Sequence, residues 1–320
     1  TGLIIFVLSG LFYILSTEMW QLIAVSALLG IGSGLIVPLS TGLISRYFTG
    51  KYRTRQFGLS SAITNITLVS ATLLTGYLAG IDWHLPFVVY FFPIVAFVFS
   101  FYLKKDPVSA APVRTNNPGK INVKHLIGLM AFYGLVTYLV VIISFNLPFL
   151  MKEYRFDAET SGIIISMFYS AIVVPGFFLN KILSTFKYLT KCMCLLCIAA
   201  GLLLVLISSN VWILGTGAVF MGFGYGVIQP LIYDQTSQVA TPEKTTLALA
   251  FVMSMNYLAI LLCPTIIDTF QSLFHIHSQQ FAFSFNLSIT LLAIIWSYAA
   301  RHTFLFNDNL ENDKSSLEEL

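Results

Sequence analysis

Ten runs of apolar residues, at 2–16, 20–47, 57–80, 86–103, 124–151, 159–183, 189–208, 211–234, 245–268 and 279–300, alternate with short polar connections along the chain. Most reach or exceed the ~20 residues that carry a helix across a bilayer. None shows the period-2 alternation of a membrane barrel strand, and a helix satisfies its own backbone groups in hydrocarbon. The pattern predicts an all-α, polytopic membrane protein with ten transmembrane helices. Composition agrees: 57% of the residues are hydrophobic, only 10% are charged, and the mean hydropathy is +0.83. The lipid bilayer is therefore the first partner.

The basic residues fall on one side. Arg46, Lys51, Arg53 and Arg55 lie in or beside the second connection, Lys104, Lys105, Arg114, Lys120 and Lys124 in the fourth, and Lys181, Lys187 and Lys191 around the sixth. Lys244 falls in the eighth, Arg301 and Lys314 follow the last run, and only Lys152 and Arg155 are on the other side. By the positive-inside rule the first side, with the C-terminus, is cytoplasmic. The net charge of +3 thus reflects membrane orientation and not nucleic-acid binding.

The stretch Gly30-Ile31-Gly32-Ser33-Gly34-Leu35-Ile36-Val37-Pro38-Leu39 returns from Gly222 to Leu231 as GFGYGVIQPL. Repetition at so long an offset indicates two homologous halves. Residues 104–123, with Asp106-Pro107, Pro112 and Asn116-Asn117-Pro118-Gly119, read as a cytoplasmic linker between them. Four runs precede the linker and six follow. The expected organisation is an N-terminal bundle at 1–103, the linker at 104–123, a C-terminal bundle at 124–304 and an acidic cytoplasmic tail at 305–320. If the halves are equivalent, two helices are missing from the front. The chain opens on Thr1 inside apolar sequence and is read as N-terminally truncated.

Six plus six helices with a basic central loop resemble the major facilitator superfamily of secondary transporters. Local text agrees: the Gly30–Pro38 run before a basic turn, Thr75-Gly76-Tyr77-Leu78 with Trp83-His84-Leu85-Pro86-Phe87, and Asn146-Leu147-Pro148-Phe149-Leu150 before Phe156-Asp157-Ala158. The look is most similar to the twelve-helix drug:proton antiporter branch. Three positions depart from that branch: Ser26 stands where many of its members carry Arg, Ser70-Ala71 replaces a Gly-Pro, and Asn180-Lys181 replaces an Asp-Arg. The resemblance implies two six-helix bundles that alternate access to a central site.

Candidate chemistry is sparse. Gly30, Gly34 and Pro38, like Gly222, Gly226 and Pro230, recur at i, i+4 and i+8 and offer a smooth surface for close helix approach and hinging. Tyr225, Gln229 and Tyr233 share one helix face, and polar groups at membrane depth turn toward protein or a water-filled cavity. The resemblance makes that face substrate-lining; interhelical hydrogen bonding is the alternative. Asn256, Tyr257, Tyr138, Asn146 and Tyr169 are further lining candidates. No Lys or Arg falls well inside a run, and the carboxylates Glu159, Asp234 and Asp268 sit at run ends. Asp234, next to Tyr233, is the candidate coupling or gate acid. Cys192, Cys194, Cys197 and Cys263 read as buried apolar thiols without a ligand shell. His275 and His277 read as a solvated outer loop, so no metal or cofactor is expected. There is no Gly-x-x-x-x-Gly-Lys-Ser/Thr run, which leaves ATP-driven transport to another subunit.

These readings imply no enzyme. They imply a monomeric secondary transporter in a bacterial-type cytoplasmic (inner) membrane, exporting small amphipathic or drug-like compounds, with protons as the coupling partner that the resembling branch implies. Two alternatives stay open: a transporter of a polar metabolite such as a sugar or organic acid, and a non-transporting membrane protein of the same fold.

Overall fold

The computed structural model describes every residue except 1, 80, 83, 101–120, 157, 208, 242, 277 and 301–320. The linker, the tail, Trp83, Asp157 and His277 therefore lie, wholly or nearly so, outside the described residues, and no side chain is described for Glu159. Nearly all of the rest is helical. In order the helices are α1 (Gly2–Leu15), α2 (Met19–Tyr47), α3 (Gly50–Ala79), α4 (Pro93–Ser100), α5 (Val123–Glu153), α6 (Ala158–Phe186), α7 (Thr190–Ile207), α8 (Val211–Val239), α9 (Thr245–Phe274) and α10 (Gln280–Ala299). Each corresponds to one apolar run. A 3₁₀ turn, Leu85–Phe91, takes up the first half of the fourth run, with Pro86 inside it and Pro93 opening α4. Proline fixes φ and removes a donor, so a run with two of them starts a helix late.

Polar residues set the helix starts. Asn122 accepts from the His125 amide, Asn210 from the Trp212 amide, and Gln21 folds back onto the amides of Thr17 and Glu18. Within the apolar segments, hydroxyls such as Ser9, Thr41 and Thr236 donate to the carbonyl four residues earlier, so they cost little in hydrocarbon.

Two boundaries differ from the apolar pattern, and both matter. α3 starts at Gly50, which places Lys51, Arg53 and Arg55 on the helix and not in a loop. Their aliphatic stems can lie along the helix while the charged heads reach water or a partner. α8 runs to Val239, so Asp234 is not at a helix end. Gln235, Thr236 and Ser237 after it are polar yet buried, because this segment packs against other helices. Lys191, grouped with the basic residues around the sixth connection, is on α7 and 1% exposed; its ammonium donates to the Ala300 carbonyl at 3.0 Å and caps α10.

The second half forms the core. Leu139, Ile142, Ile143 and Leu147 of α5 pack with Met221, Val227 and Ile228 of α8, all at most 1% exposed. α8 lies between α6 and α7 and uses glycines to do so. A Cβ on Gly226 would stand 2.6 Å from the Ile172 carbonyl oxygen, and one on Gly224 would stand 2.6 Å from that of Cys194. α5 also packs on α9, and α7 on α10.

The halves meet at the end that carries the basic residues. α3 lies against α6 and α8, and α2 against α9. Their closest approach is Gly58 of α3 against Gly176 of α6, where a Cβ on Gly58 would be 2.6 Å from the Gly176 carbonyl oxygen. Gly42 of α2 lies under Thr246 of α9 at the same end, with 2.5 Å left for a Cβ. Toward the other end, Leu73 and Tyr77 of α3 are 63% and 72% exposed, and Gly162 of α6 has nothing within 4 Å of an added Cβ.

Candidate functional site

One connected group of polar side chains lies where α3, α5, α8 and α9 come together. α8 contributes Tyr225, Gln229 and Tyr233 from successive turns of one face. Opposite them, Tyr133 and Thr137 sit one turn apart on α5 and are fully buried. Gln229 Nε2 donates to the Tyr133 hydroxyl at 3.3 Å and Gln229 Oε1 accepts from Ser61 of α3 at 2.9 Å. The Tyr133 hydroxyl lies 3.3 Å from that of Tyr225 and 3.0 Å from that of Tyr233. Asn256 of α9 closes the group: its Oδ1 accepts from Thr137 at 2.6 Å and from Tyr225 at 3.2 Å. The rings are set by packing, Tyr133 and Tyr225 stacked at 6.4 Å and Tyr133 and Tyr233 edge-on at 5.7 Å.

None of these groups is charged. The network presents hydroxyl and amide groups that both donate and accept, framed by aromatic faces. That chemistry suits polarisable, amphipathic molecules and cations, while an anion would find no fixed positive partner within it.

Directly toward the basic end lies a contact between α3 and α8 built around Asp234. Arg53 of α3 donates from Nε to Asp234 Oδ1 at 2.7 Å, with side-chain exposures of 14% and 6%. Thr54 donates to Asp234 Oδ2 at 2.9 Å, and Gln238 approaches the same oxygen at 3.3 Å. Asn180 of α6 adds a bond to the Lys51 carbonyl at 3.1 Å, and Phe57 meets Tyr233 edge-on. A buried carboxylate is tolerable only when paired and hydrogen-bonded, and both conditions require the two halves to be together.

The sequence candidates divide accordingly. Tyr225, Gln229, Tyr233 and Asn256 are in the network, and Asp234 holds the inter-half ion pair. Tyr257 is 53% exposed and its hydroxyl makes no hydrogen bond among the described residues. The buried Tyr138 hydroxyl has no partner, Asn146 donates to Gln279 at 3.3 Å, and Tyr169 pairs with Ser144 at 3.1 Å; these three stand apart from the network. Asp268 is exposed on α9, and His275 ends that helix in a left-handed conformation, φ 55°. Among the described residues no three His, Cys, Asp or Glu side chains gather as a metal site.

The two glycine copies behave differently. Gly222 and Gly226 press on the Phe168 and Ile172 carbonyls, whereas Gly30 and Gly34 have nothing within 4 Å of an added Cβ. In the first copy the close approach falls instead on Gly32, where a Cβ would stand 3.0 Å from the Phe6 amide nitrogen of α1. Pro38 and Pro230 are both buried inside their helices. Ser26, at the departing position, hydrogen-bonds with Tyr13, whose ring stacks on Phe87 at 4.8 Å and Tyr90 at 5.3 Å. In the outer connection beyond α3 the His84 amide donates to Asp82 at 2.7 Å and holds that carboxyl below its usual range.

Tyr133, Thr137, Ser61, Arg53 and Thr54 were not singled out from sequence. The i, i+4 spacing of Tyr133 and Thr137, two hydroxyls at membrane depth on one face, is the signal that would have found that pair.

The family model of the Major Facilitator Superfamily matches residues 1–264. The quinolone resistance protein NorA of Staphylococcus aureus (strain MRSA252) is 25% identical over 262 residues, spanning 75% of this chain and 64% of its own length. The class H tetracycline resistance protein of Pasteurella multocida is 24% identical over 242 residues, 70% of this chain and 59% of its own. The chain thus spans less than two thirds of these relatives. Among solved structures, the human organic anion transporter MFSD10 (TETRAN) overlays with a TM-score of 0.78 at 16% identity, over 92% of this chain and 75% of that one. A bacterial homologue of the human lysosomal transporter Spinster, inward-facing and occupied, overlays with a TM-score of 0.50 at 12% identity, over 94% and 79%.

Proposed function

This chain belongs to the Major Facilitator Superfamily, and from that premise we propose that it is a secondary active transporter that exports small amphipathic or drug-like compounds by alternating access. The observation that carries the reading is the uncharged network of Tyr133, Tyr225, Gln229, Tyr233 and Asn256, placed directly above an inter-half ion pair. Substrate binds at the network, and Arg53–Asp234 closes the basic, cytoplasmic end beneath it. In this closed arrangement the site communicates with the outside; parting of Arg53 and Asp234 turns it inward. Kinship with the two resistance proteins supports export of amphipathic compounds over uptake of a polar metabolite, and the absence of charge in the network supports it independently.

Asp234 offers a route to proton coupling. Its charge holds Arg53, so a proton taken up there would compete with the closed cytoplasmic end. The test is accumulation of several cationic dyes in cells with and without the full-length protein, with and without a pH gradient. Lower accumulation in expressing cells, lost when the gradient is collapsed, is expected. Equal accumulation rejects export, and indifference to the gradient rejects proton exchange.

A further inference from the structure

The crevice between α3 and α6 at the basic end holds chemistry that the transport site does not use. A cavity of about 250 Å³ opens there, lined by Arg55 of α3 and by Gly176, Phe177, Phe178, Leu179, Asn180 and Lys181 of α6. Arg55 and Lys181 come from opposite halves, both are exposed, and neither side chain makes a hydrogen bond or ion pair among the described residues. Arg53, two residues from Arg55 and so on the opposite face of α3, is by contrast largely shielded and paired. The spacing of the two free cations is set by backbone contact, since Gly58 and Gly176 touch and Asn180 bonds the Lys51 carbonyl. Phe177 and Phe178, 55% and 57% exposed, line the same cavity.

We propose that this crevice binds the phosphate of an anionic phospholipid headgroup, clamped between Arg55 of one half and Lys181 of the other, with the acyl chains against Phe177 and Phe178. The chemistry of each part fits. A guanidinium and an ammonium are the two side chains suited to a phosphate, one through its fork and one as a point charge. Both stems run along an apolar helix toward the headgroup layer. The two phenyl rings distinguish a lipid from a free phosphate, because they offer apolar contact that a small anion cannot use. One headgroup bridging both halves is held only while the basic end is closed, so the lipid favours that state by its differential affinity.

The experiment is native mass spectrometry of the full-length protein in detergent, with phosphatidylglycerol or phosphatidylcholine added and inorganic phosphate as competitor. Phosphatidylglycerol adducts should be retained in preference to phosphatidylcholine adducts and should survive excess inorganic phosphate. R55Q and K181Q should each weaken retention about fivefold, and the pair roughly 25-fold. The charge-keeping variant R55K/K181R should retain the adduct, which separates lost charge from lost folding. Equal retention of the two lipids, full retention in R55Q/K181Q, or loss of the adduct to inorganic phosphate would each overturn the proposal.

Discussion

Asp234→Asn tests the closure most directly. The carboxylate is 6% exposed and its partner Arg53 is 14% exposed, so water screens little of their attraction. Asparagine keeps the size and can still accept from Thr54, so the change removes charge and leaves packing in place. While the basic end stays closed, Arg53 then sits buried without a counter-charge, a situation that costs about 3–5 kcal/mol when one partner of a buried pair is lost. Opening that end rehydrates the guanidinium and relieves the cost. Taking the lower figure, the balance between closed and open moves by about 150-fold toward open. Spin labels at Tyr52 on α3 and Thr185 on α6, both exposed, report the separation of the basic ends. Unaltered protein should give the short distance alone, and D234N should give mainly a longer one. The second variant R53Q/D234N removes the buried charge altogether and should return toward the short distance. An unchanged distribution in D234N, or a double variant as open as the single one, would refute the ion pair as the closure.

Two other expectations concern the site and the helix contact. Gln229→Leu removes the bond from Ser61 and the bond to Tyr133, and should raise the transport KM roughly tenfold at matched membrane expression, about one net hydrogen bond's worth; unchanged KM and rate remove Gln229 from the site. Gly58→Ala puts a methyl group against the Gly176 carbonyl and should cost about 1–3 kcal/mol of overpacking, read as a lower melting temperature and a longer Tyr52–Thr185 distance; a variant as stable and as closed as the parent would show that the contact is loose.

Helix positions were legible because lipid solvates apolar residues directly, so a run of them states both the element and its length. The same pattern puts Asp234 at a helix end, whereas α8 continues five residues beyond it. The apolar run stops at 234 while the helix continues through Gln235, Thr236 and Ser237, whose burial comes from helix contacts and not from lipid. Arg53 looks like part of a connection for the corresponding reason: its counter-charge lies 181 positions away, in the other half. On α5 the sequence candidate is Tyr138, while the network member is its neighbour Thr137. Adjacent residues on a helix point about 100° apart, so one position separates a member of the network from a hydroxyl with no partner. Tyr225, Gln229 and Tyr233 were found because their spacing encodes a face, and a face is what one helix can declare unaided.

The touching pair Gly58 and Gly176 gives α3 two arms of unequal length. From Gly58 to Gly50 the helix extends about 12 Å, and from Gly58 to Ala79 roughly 30 Å. A tilt of about 10° about that point displaces the short arm by about 2 Å and the long arm by about 5 Å. Arg53, about 7.5 Å along the short arm, moves by about 1.3 Å, enough to stretch its 2.7 Å bond to Asp234 beyond hydrogen-bonding range, while about five ångströms narrow the outer mouth by about the width of a methylene chain. With no side chain at the fulcrum to be compressed, a small electrostatic event at one end is geared into a larger displacement at the other.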